Sequence, residues 1–152
     1  MGSSNKTKQS ELTYSVLKSL ALSRLKEAQI LYENGCYDGA VYLGGYVVET
    51  GLKACICKKL ELDLYLDKGE MSLAFKTHNL SNLIVLAGLT KKLSEERKAY
   101  SSFYMNWSVI THWSETKRYE PIGTSKKNEA EEFISALSDP EGGVLAWIKK
   151  FW

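Results

Sequence analysis

The sequence predicts an all-α protein, an up-and-down bundle of four principal helices followed by one or two short C-terminal helices. The chain has only two prolines in 152 residues, and alternating runs of β-branched residues are few. The segment 38–60 is apolar on nearly every face, which is typical of a helix at the centre of a bundle. The length predicts a single domain over residues 10–152, and we expect the polar tail, residues 1–9, to be disordered.

End signals define the first two helices. The first is predicted from about Ser10 to Glu33, because the turn-forming pair Asn34–Gly35 follows it. Asp38 is expected to cap the second helix, which continues to about Leu60. The second helix is rich in glycine, which lowers helix propensity, so we expect it to make a tight contact with a neighbouring helix or a second subunit.

The middle of the chain is predicted to be less regular. Residues 61–75 are charged and contain a turn-forming glycine, so we expect an irregular, mobile loop there. Thr77 is expected to cap a short third helix over residues 78–87, and Gly88 to close it.

A long fourth helix is predicted from Ser94 to about Trp113, because acidic residues follow Ser94 in the first turn. Its apolar positions are mostly aromatic and predict a core or dimer interface; they are Tyr100, Phe103, Tyr104, Trp107, Val109 and Ile110. After a break at 114–124, a fifth helix is predicted over Ser125–Leu137 and a short sixth after Asp139–Pro140.

The second helix carries one polar stripe, which is the first place to look for function. Tyr42, Tyr46, Glu49 and Lys53 are spaced 4, 3 and 4 apart, within a wedge of roughly 60° on one helix face. On an otherwise apolar helix, the charged residues must pair with each other or face a wet groove. Glu49 and Lys53 have the spacing of a simple helix salt bridge, and this structural interpretation stays open beside a functional one.

Composition limits the function classes only loosely. The net charge of +2 permits a nucleic-acid partner without demanding one. Four lysine pairs are interpreted as solvated helix ends: Lys58–Lys59, Lys91–Lys92, Lys126–Lys127 and Lys149–Lys150. No apolar run approaches the 18 or so residues of a membrane span, and no secretion signal is visible, so we expect a cytoplasmic protein.

Cysteine usage agrees with that location and argues against a metal centre. Three cysteines, an odd number, suit a reducing compartment. Cys55 and Cys57 are two residues apart on a helix and point about 200° apart, which is wrong for joint metal ligation. We therefore expect structural thiols, no metal and no cofactor.

One pattern of residues runs through the first two predicted helices: Ala28, Leu31, Gly35, Tyr37, Asp38, Gly39, Ala40, Tyr42, Leu43, Gly45, Tyr46, Glu49, Leu52, Lys53 and Ala54. His78–Asn79–Leu80 and the pattern Trp113, Arg118, Tyr119 follow it later in the chain. With these residues, the chain resembles the HEPN superfamily of small helical domains, found in toxin–antitoxin, antiphage and RNA-processing systems. The similarity covers about Glu11 to Tyr119.

This resemblance implies a site for metal-independent RNA cleavage, built from an arginine followed four to six residues later by a histidine. His112 matches the histidine and Asn106 the polar residue that often follows the arginine, but Met105 stands where the arginine belongs. Arg118 is a candidate replacement, although it follows the histidine. Losing the cation weakens transition-state stabilisation by about 2–4 kcal/mol, comparable to losing one oxyanion donor.

Three functions remain open at this point. The first is binding of RNA or a nucleotide with weakened or absent catalysis, through a groove of Tyr42, Glu49, Lys53, His78 and Tyr119. The second is an endoribonuclease toxin that uses His112 with Arg118 or Lys53. The third is an interaction module whose partner is a nucleotidyltransferase-type antitoxin. The resemblance also implies a homodimer.

Overall fold

The computed structural model describes residues 11–152, so the predicted tail and Ser10 lie outside the described residues. Within this range the protein is all-α, as predicted. Its α-helices are α1 (Tyr14–Glu33), α2 (Tyr37–Lys59), α3 (Ser72–Phe75), α4 (Leu80–Leu86), α5 (Thr90–Ala99), α6 (Ser101–Ile110), α7 (Lys127–Ser138) and α8 (Val144–Ile148). A 3₁₀ helix covers Glu115–Tyr119. No helix of residues 11–152 is long and apolar enough to cross a membrane.

Helix α2 lies at the centre of the bundle, as its sequence predicted. It packs along α1 and also contacts α4, α7, α8 and the 3₁₀ helix. Val48, Leu52 and Ile56 are completely buried on it. Most of the other large buried side chains come from helices that surround α2, so its polar residues can reach water only through gaps between those neighbours.

Two glycines of α2, Gly44 and Gly45, make room for aromatic side chains rather than for a neighbouring backbone. A Cβ on Gly44 would lie 2.8 Å from Phe133 of α7. A Cβ on Gly45 would overlap the indole ring of Trp113, which follows α6. The tight contact that we expected from these glycines is therefore present, and its occupants are the rings of Phe133 and Trp113.

The turn after α1 forms as predicted, whereas the start of each of the first two helices differs. Gly35 adopts a positive φ of 77°, and the N–H of Cys36 donates to the carbonyl of Leu31 at 2.8 Å, which closes α1. The α1 N-cap is Thr13, whose side chain accepts from the N–H of Val16, so the predicted start at Ser10 was too early.

Asp38 does not cap α2, because the helix begins at Tyr37 and places Asp38 inside its first turn. Its carboxylate instead accepts the N–H groups of Gly123 and Ser125, at 2.6 and 2.7 Å. These hydrogen bonds, that from Ser125 first, hold the pKa of Asp38 below its usual value. Asp38 therefore anchors the loop before α7 to the start of α2.

The predicted fourth helix is two helices, α5 and α6. Tyr100 between them is extended, with φ −130° and ψ 108°. None of the residues Thr90–Ala99 in α5 is buried, whereas α6 buries Phe103, Trp107 and Ile110. The break lets α6 lie against α7 and α8 while α5 stays at the surface.

The segment before α4 is more ordered than predicted. Residues 61–75 include the short helix α3, and Tyr65 is buried and donates its hydroxyl to the carbonyl of Phe75 at 2.7 Å. Asn79, not Thr77, caps α4, because the Asn79 side chain accepts the N–H of Asn82. The side chain of Thr77 accepts the N–H of Asn79 and so helps to hold the residue that caps α4.

Candidate functional site

Glu49 is the centre of the polar stripe on α2 and is almost fully buried, with 3% of its surface exposed. One carboxylate oxygen accepts from the ammonium of Lys53 at 2.8 Å. Both oxygens lie 3.0 Å from Nδ1 of His78, which comes from the segment just before α4. The predicted Glu49–Lys53 pair therefore exists, and it holds a histidine as well.

This geometry determines which ring nitrogen of His78 carries hydrogen. A carboxylate only accepts, so Nδ1 is the donor to Glu49. Among the hydrogen bonds of residues 11–152, none uses Nε2 of His78. The ring lines a cleft of about 480 Å³, here called the His78 cleft. Its polar lining residues include Lys76, Thr77, Asn79, Ser81, Thr111, Ser114 and Glu115.

Two tyrosines and a tryptophan extend the stripe beyond Glu49. The ring of Tyr46 packs edge-on against His78 and Trp113, with centroids 6.4 and 5.1 Å away. Its hydroxyl lies 3.2 Å from that of Tyr42, and burial, followed by this contact, raises the pKa of Tyr46. Trp113 donates its indole N–H to the carbonyl of Tyr42 at 3.1 Å. These contacts hold α2, the segment before α4 and the segment after α6 together around the ring of Tyr46.

Arg118 and Tyr119, in the 3₁₀ helix, lie at the far end of this stripe. The guanidinium carbon of Arg118 is 4.8 Å from the ring centroid of Tyr119. Polar contacts with Tyr119, and then with Tyr42, raise the pKa of Arg118, so it stays a cation. Tyr119 is 77% exposed. Its ring is therefore open to a stacking partner while Arg118 connects it to α2.

The structure brings together some of the residues predicted to bind RNA or a nucleotide. Glu49, Lys53 and His78 form one hydrogen-bonded group, and the ring of Tyr46 links His78 to Tyr42. Of the predicted binding residues, His78 alone lines the His78 cleft, and Tyr119 contacts Arg118 in the 3₁₀ helix. Tyr46 was part of the predicted polar stripe, whereas Trp113 was not predicted as a site residue. Gly45 was the available signal for Trp113, because a glycine inside a buried helix indicates that a bulky neighbour occupies the space of its Cβ.

His112 lies on another cleft, of about 630 Å³, between α6 and α7. Its Nδ1 is 2.8 Å from the carbonyl of Ser108, within its own helix end. Met105, at the position of the motif arginine, is 66% exposed and lines the same cleft. Three carboxylates and one ammonium also line this His112 cleft, from Glu120, Glu129, Glu132 and Lys117.

The three residues predicted to be catalytic make separate contacts. Asn106 donates its side-chain amide to the carbonyl of Gly142 at 2.9 Å, which holds the loop before α8. Arg118 contacts Tyr42 and Tyr119, whereas His112 contacts the backbone of α6. Asn106 and Arg118 are not among the residues that line the His112 cleft. In one subunit, the structure does not bring them to His112.

A comparison with known protein families identifies the family of this chain. The sequence profile of the HEPN domain matches residues 14–139, most of the chain. The chain belongs to the HEPN domain family. No curated protein and no solved structure gives a significant match. The HEPN match extends from α1 to the end of α7, and it therefore includes every residue of both clefts.

Proposed function

We propose that this HEPN-domain protein binds RNA or a nucleotide in the His78 cleft, with weakened or absent catalysis. The observation that carries the proposal is the contact between His78 and Glu49. A buried carboxylate holds Nδ1 through both oxygens, and Nε2 is left for a ligand in a polar cleft. A histidine held in this way loses little rotational freedom when it binds a ligand.

The surrounding groups suit a phosphate and a base. Lys76 lines the cleft. Arg118 does not line it, but it lies in the 3₁₀ helix whose first residue, Glu115, does, and its planar guanidinium can donate two parallel hydrogen bonds to a phosphate. Tyr119 offers an exposed ring on which a base can stack. The side chain of Lys53 is only 12% exposed and contacts Glu49, so its role is to position the carboxylate.

The residues that line the His112 cleft are the reason why we propose weakened or absent RNA cleavage. The cleft presents Met105 where RNA cleavage in this family calls for a cation. The carboxylates of Glu129 and Glu132 repel an approaching phosphate, and Lys117 lies within 3.4 Å of Glu120, which offsets its charge. The toxin–antitoxin or defence setting is proposed from the family resemblance.

A role as an interaction module is a second candidate. Tyr104 and Met105 are 47% and 66% exposed beside the apolar Val109 in the His112 cleft. A protein that covers these side chains removes apolar surface from water. A second copy of the chain or a nucleotidyltransferase-type partner would be bound there, away from the His78 cleft.

The chain offers a matched test, because it has two histidines and each lies on a different cleft. We expect His78→Ala to weaken binding of a labelled single-stranded RNA or of AMP by about tenfold, the loss of one hydrogen bond to a charged group. His112→Ala should leave binding unchanged. Fluorescence anisotropy measures the RNA affinity, and calorimetry measures that of AMP.

The opposite result would exclude the His78 cleft as the ligand site. If His112→Ala weakens binding and His78→Ala does not, the His78 cleft is not the ligand site. The same RNA, incubated with excess EDTA and analysed on a gel, tests catalysis. Cleavage by the parent protein that His112→Ala abolishes would establish the ribonuclease alternative.

A further inference from the structure

Lysines from three distant parts of the sequence meet where α2 ends. Lys58 and Lys59 close α2, Lys92 lies in the first turn of α5, and Lys150 follows α8. All four line one cleft of about 370 Å³, here called the lysine cleft, together with Gly88 and Phe151. From the sequence, we interpreted each lysine pair as a separate solvated helix end. The fold brings members of three of these pairs together.

Few acidic groups neutralise these lysines. Lys150 donates to a carboxylate oxygen of Glu96 at 2.9 Å, and Lys58 donates to the backbone oxygen of Trp152 at 3.0 Å. Within residues 11–152, Glu96 is the only acidic side chain within salt-bridge distance of the four lysines. Four ammonium groups around one cleft repel each other, and a bound anion reduces that repulsion.

The positive charge is local and comes from the side chains. The whole chain carries a net charge of only +2, so four lysines at one cleft are a strong concentration. The negative C-terminal end of α2 and the positive N-terminal end of α5 both reach this cleft, and their dipoles offset each other. The lysines therefore determine the sign of the potential.

Helix α4 connects the lysine cleft with the His78 cleft. His78, just before α4, contacts Glu49 of α2, and Gly88, just after α4, lies beside the side chain of Lys59. Glu49 and Lys59 are ten residues apart on α2, about 15 Å along its axis. The two clefts therefore lie at opposite ends of α4.

We propose that the lysine cleft binds the phosphate backbone of a single-stranded RNA whose other part occupies the His78 cleft. This inference rests on the proposed function and narrows its ligand, because a mononucleotide fills one cleft while a strand reaches both. A concave surface lined with lysines suits a flexible phosphate chain better than it suits a flat bilayer. The lysines supply charge, and the His78 cleft supplies the polar contacts.

The test compares two double variants that remove the same charge. Lys59→Gln with Lys92→Gln changes the lysine cleft, and Lys26→Gln with Lys127→Gln changes exposed lysines on α1 and α7. For a labelled single-stranded RNA, we expect the first pair to lower affinity about tenfold at low salt. Its log–log salt slope should fall by about 1.4, or 0.7 for each lost phosphate contact. The control pair should change the RNA affinity and the salt slope much less. The AMP affinity of each double variant should equal that of the parent protein.

Each other outcome overturns the inference in a distinguishable way. If RNA binding depends on His78 but is the same in both double variants, the lysine cleft has no role and the proposed function stands. If the parent protein binds phosphatidylserine vesicles through Lys59 and Lys92 but binds no RNA, the surface is a membrane contact. If the parent binds neither RNA nor AMP, both proposals fail.

Discussion

The His78 cleft and the His112 cleft lie on two sides of Trp113, and each contains one of the two histidines of the chain. His78 is held by a buried carboxylate of α2, whereas the one hydrogen bond of the His112 ring to residues 11–152 is with a carbonyl of its own helix end. The two clefts thus contain the same type of side chain in different surroundings. This difference indicates that the packing around a histidine, which no short motif reports, determines which groups hold its ring.

Charge separates the two clefts further. Lys76 and several hydroxyl and amide groups line the His78 cleft, where Glu115 is the one acidic lining residue. The His112 cleft combines exposed apolar side chains with the carboxylates of Glu120, Glu129 and Glu132. The lining of the His78 cleft is therefore the less acidic of the two, which agrees with the anionic ligand proposed for it.

The largest expected effect comes from the wall that the clefts share. Gly45→Ala places a methyl group inside the space of the Trp113 ring, so the ring must move and lose its hydrogen bond to Tyr42. We expect the free energy of unfolding to fall by about 3 kcal/mol, at the upper end for overpacking. Urea denaturation measures this change, and RNA binding should fall with it.

Gly39→Ala is the matched control on the same helix. Its added methyl group meets only the end of the Leu31 side chain, at 3.2 Å, which can shift. Since alanine favours a helix by about 1 kcal/mol over glycine, this variant should be neutral or slightly stabilised. Equal destabilisation of both variants would show that Trp113 does not determine the need for glycine at position 45.

The next effect compares carboxylates from the two clefts. Glu49→Ala leaves Lys53 and His78 without their buried partner, and we expect about 3 kcal/mol of destabilisation. Glu132→Ala, an exposed carboxylate of the His112 cleft, should change stability by less than about 0.5 kcal/mol. Urea denaturation at neutral pH measures both. Similar values for the two variants would contradict the structural role of Glu49.

The smallest effect concerns only the rim of the His112 cleft. Asp38 holds the loop that carries Thr124 and Ser125, two lining residues of that cleft. Its pKa is lowered by folding, so its stabilisation is present above the usual pKa, about 3.9, and is lost as pH falls through the lower folded value. Asp38→Asn should cost about 1 kcal/mol at pH 7.

Thermal unfolding from pH 7 to pH 2 measures the Asp38 effect. The difference between parent and variant should shrink below about pH 4, as the parent carboxyl becomes protonated. A difference that stays constant over this range would assign the effect to shape rather than to charge. RNA binding at the His78 cleft should be unaffected.

Local signals predicted the helices well. Periodicity and end signals act over a few residues, so the central position of α2, the turn at Gly35 and the stop at Gly88 were visible in the sequence. The kink at Tyr100 was not visible, because aromatic spacing on a helix is similar on either side of it. The break accompanies the packing of α6 against α7 and α8, which no local pattern reports.

The sequence by itself determined the all-α class, the membership in the HEPN family and the polar stripe on α2. Only the tertiary structure decided that Glu49 holds His78, that Arg118 lies beside Tyr42 and that lysines from three segments share one cleft. The reason is physical: helices form from contacts within one or two turns, whereas the charge and burial around a site depend on residues far apart in the chain.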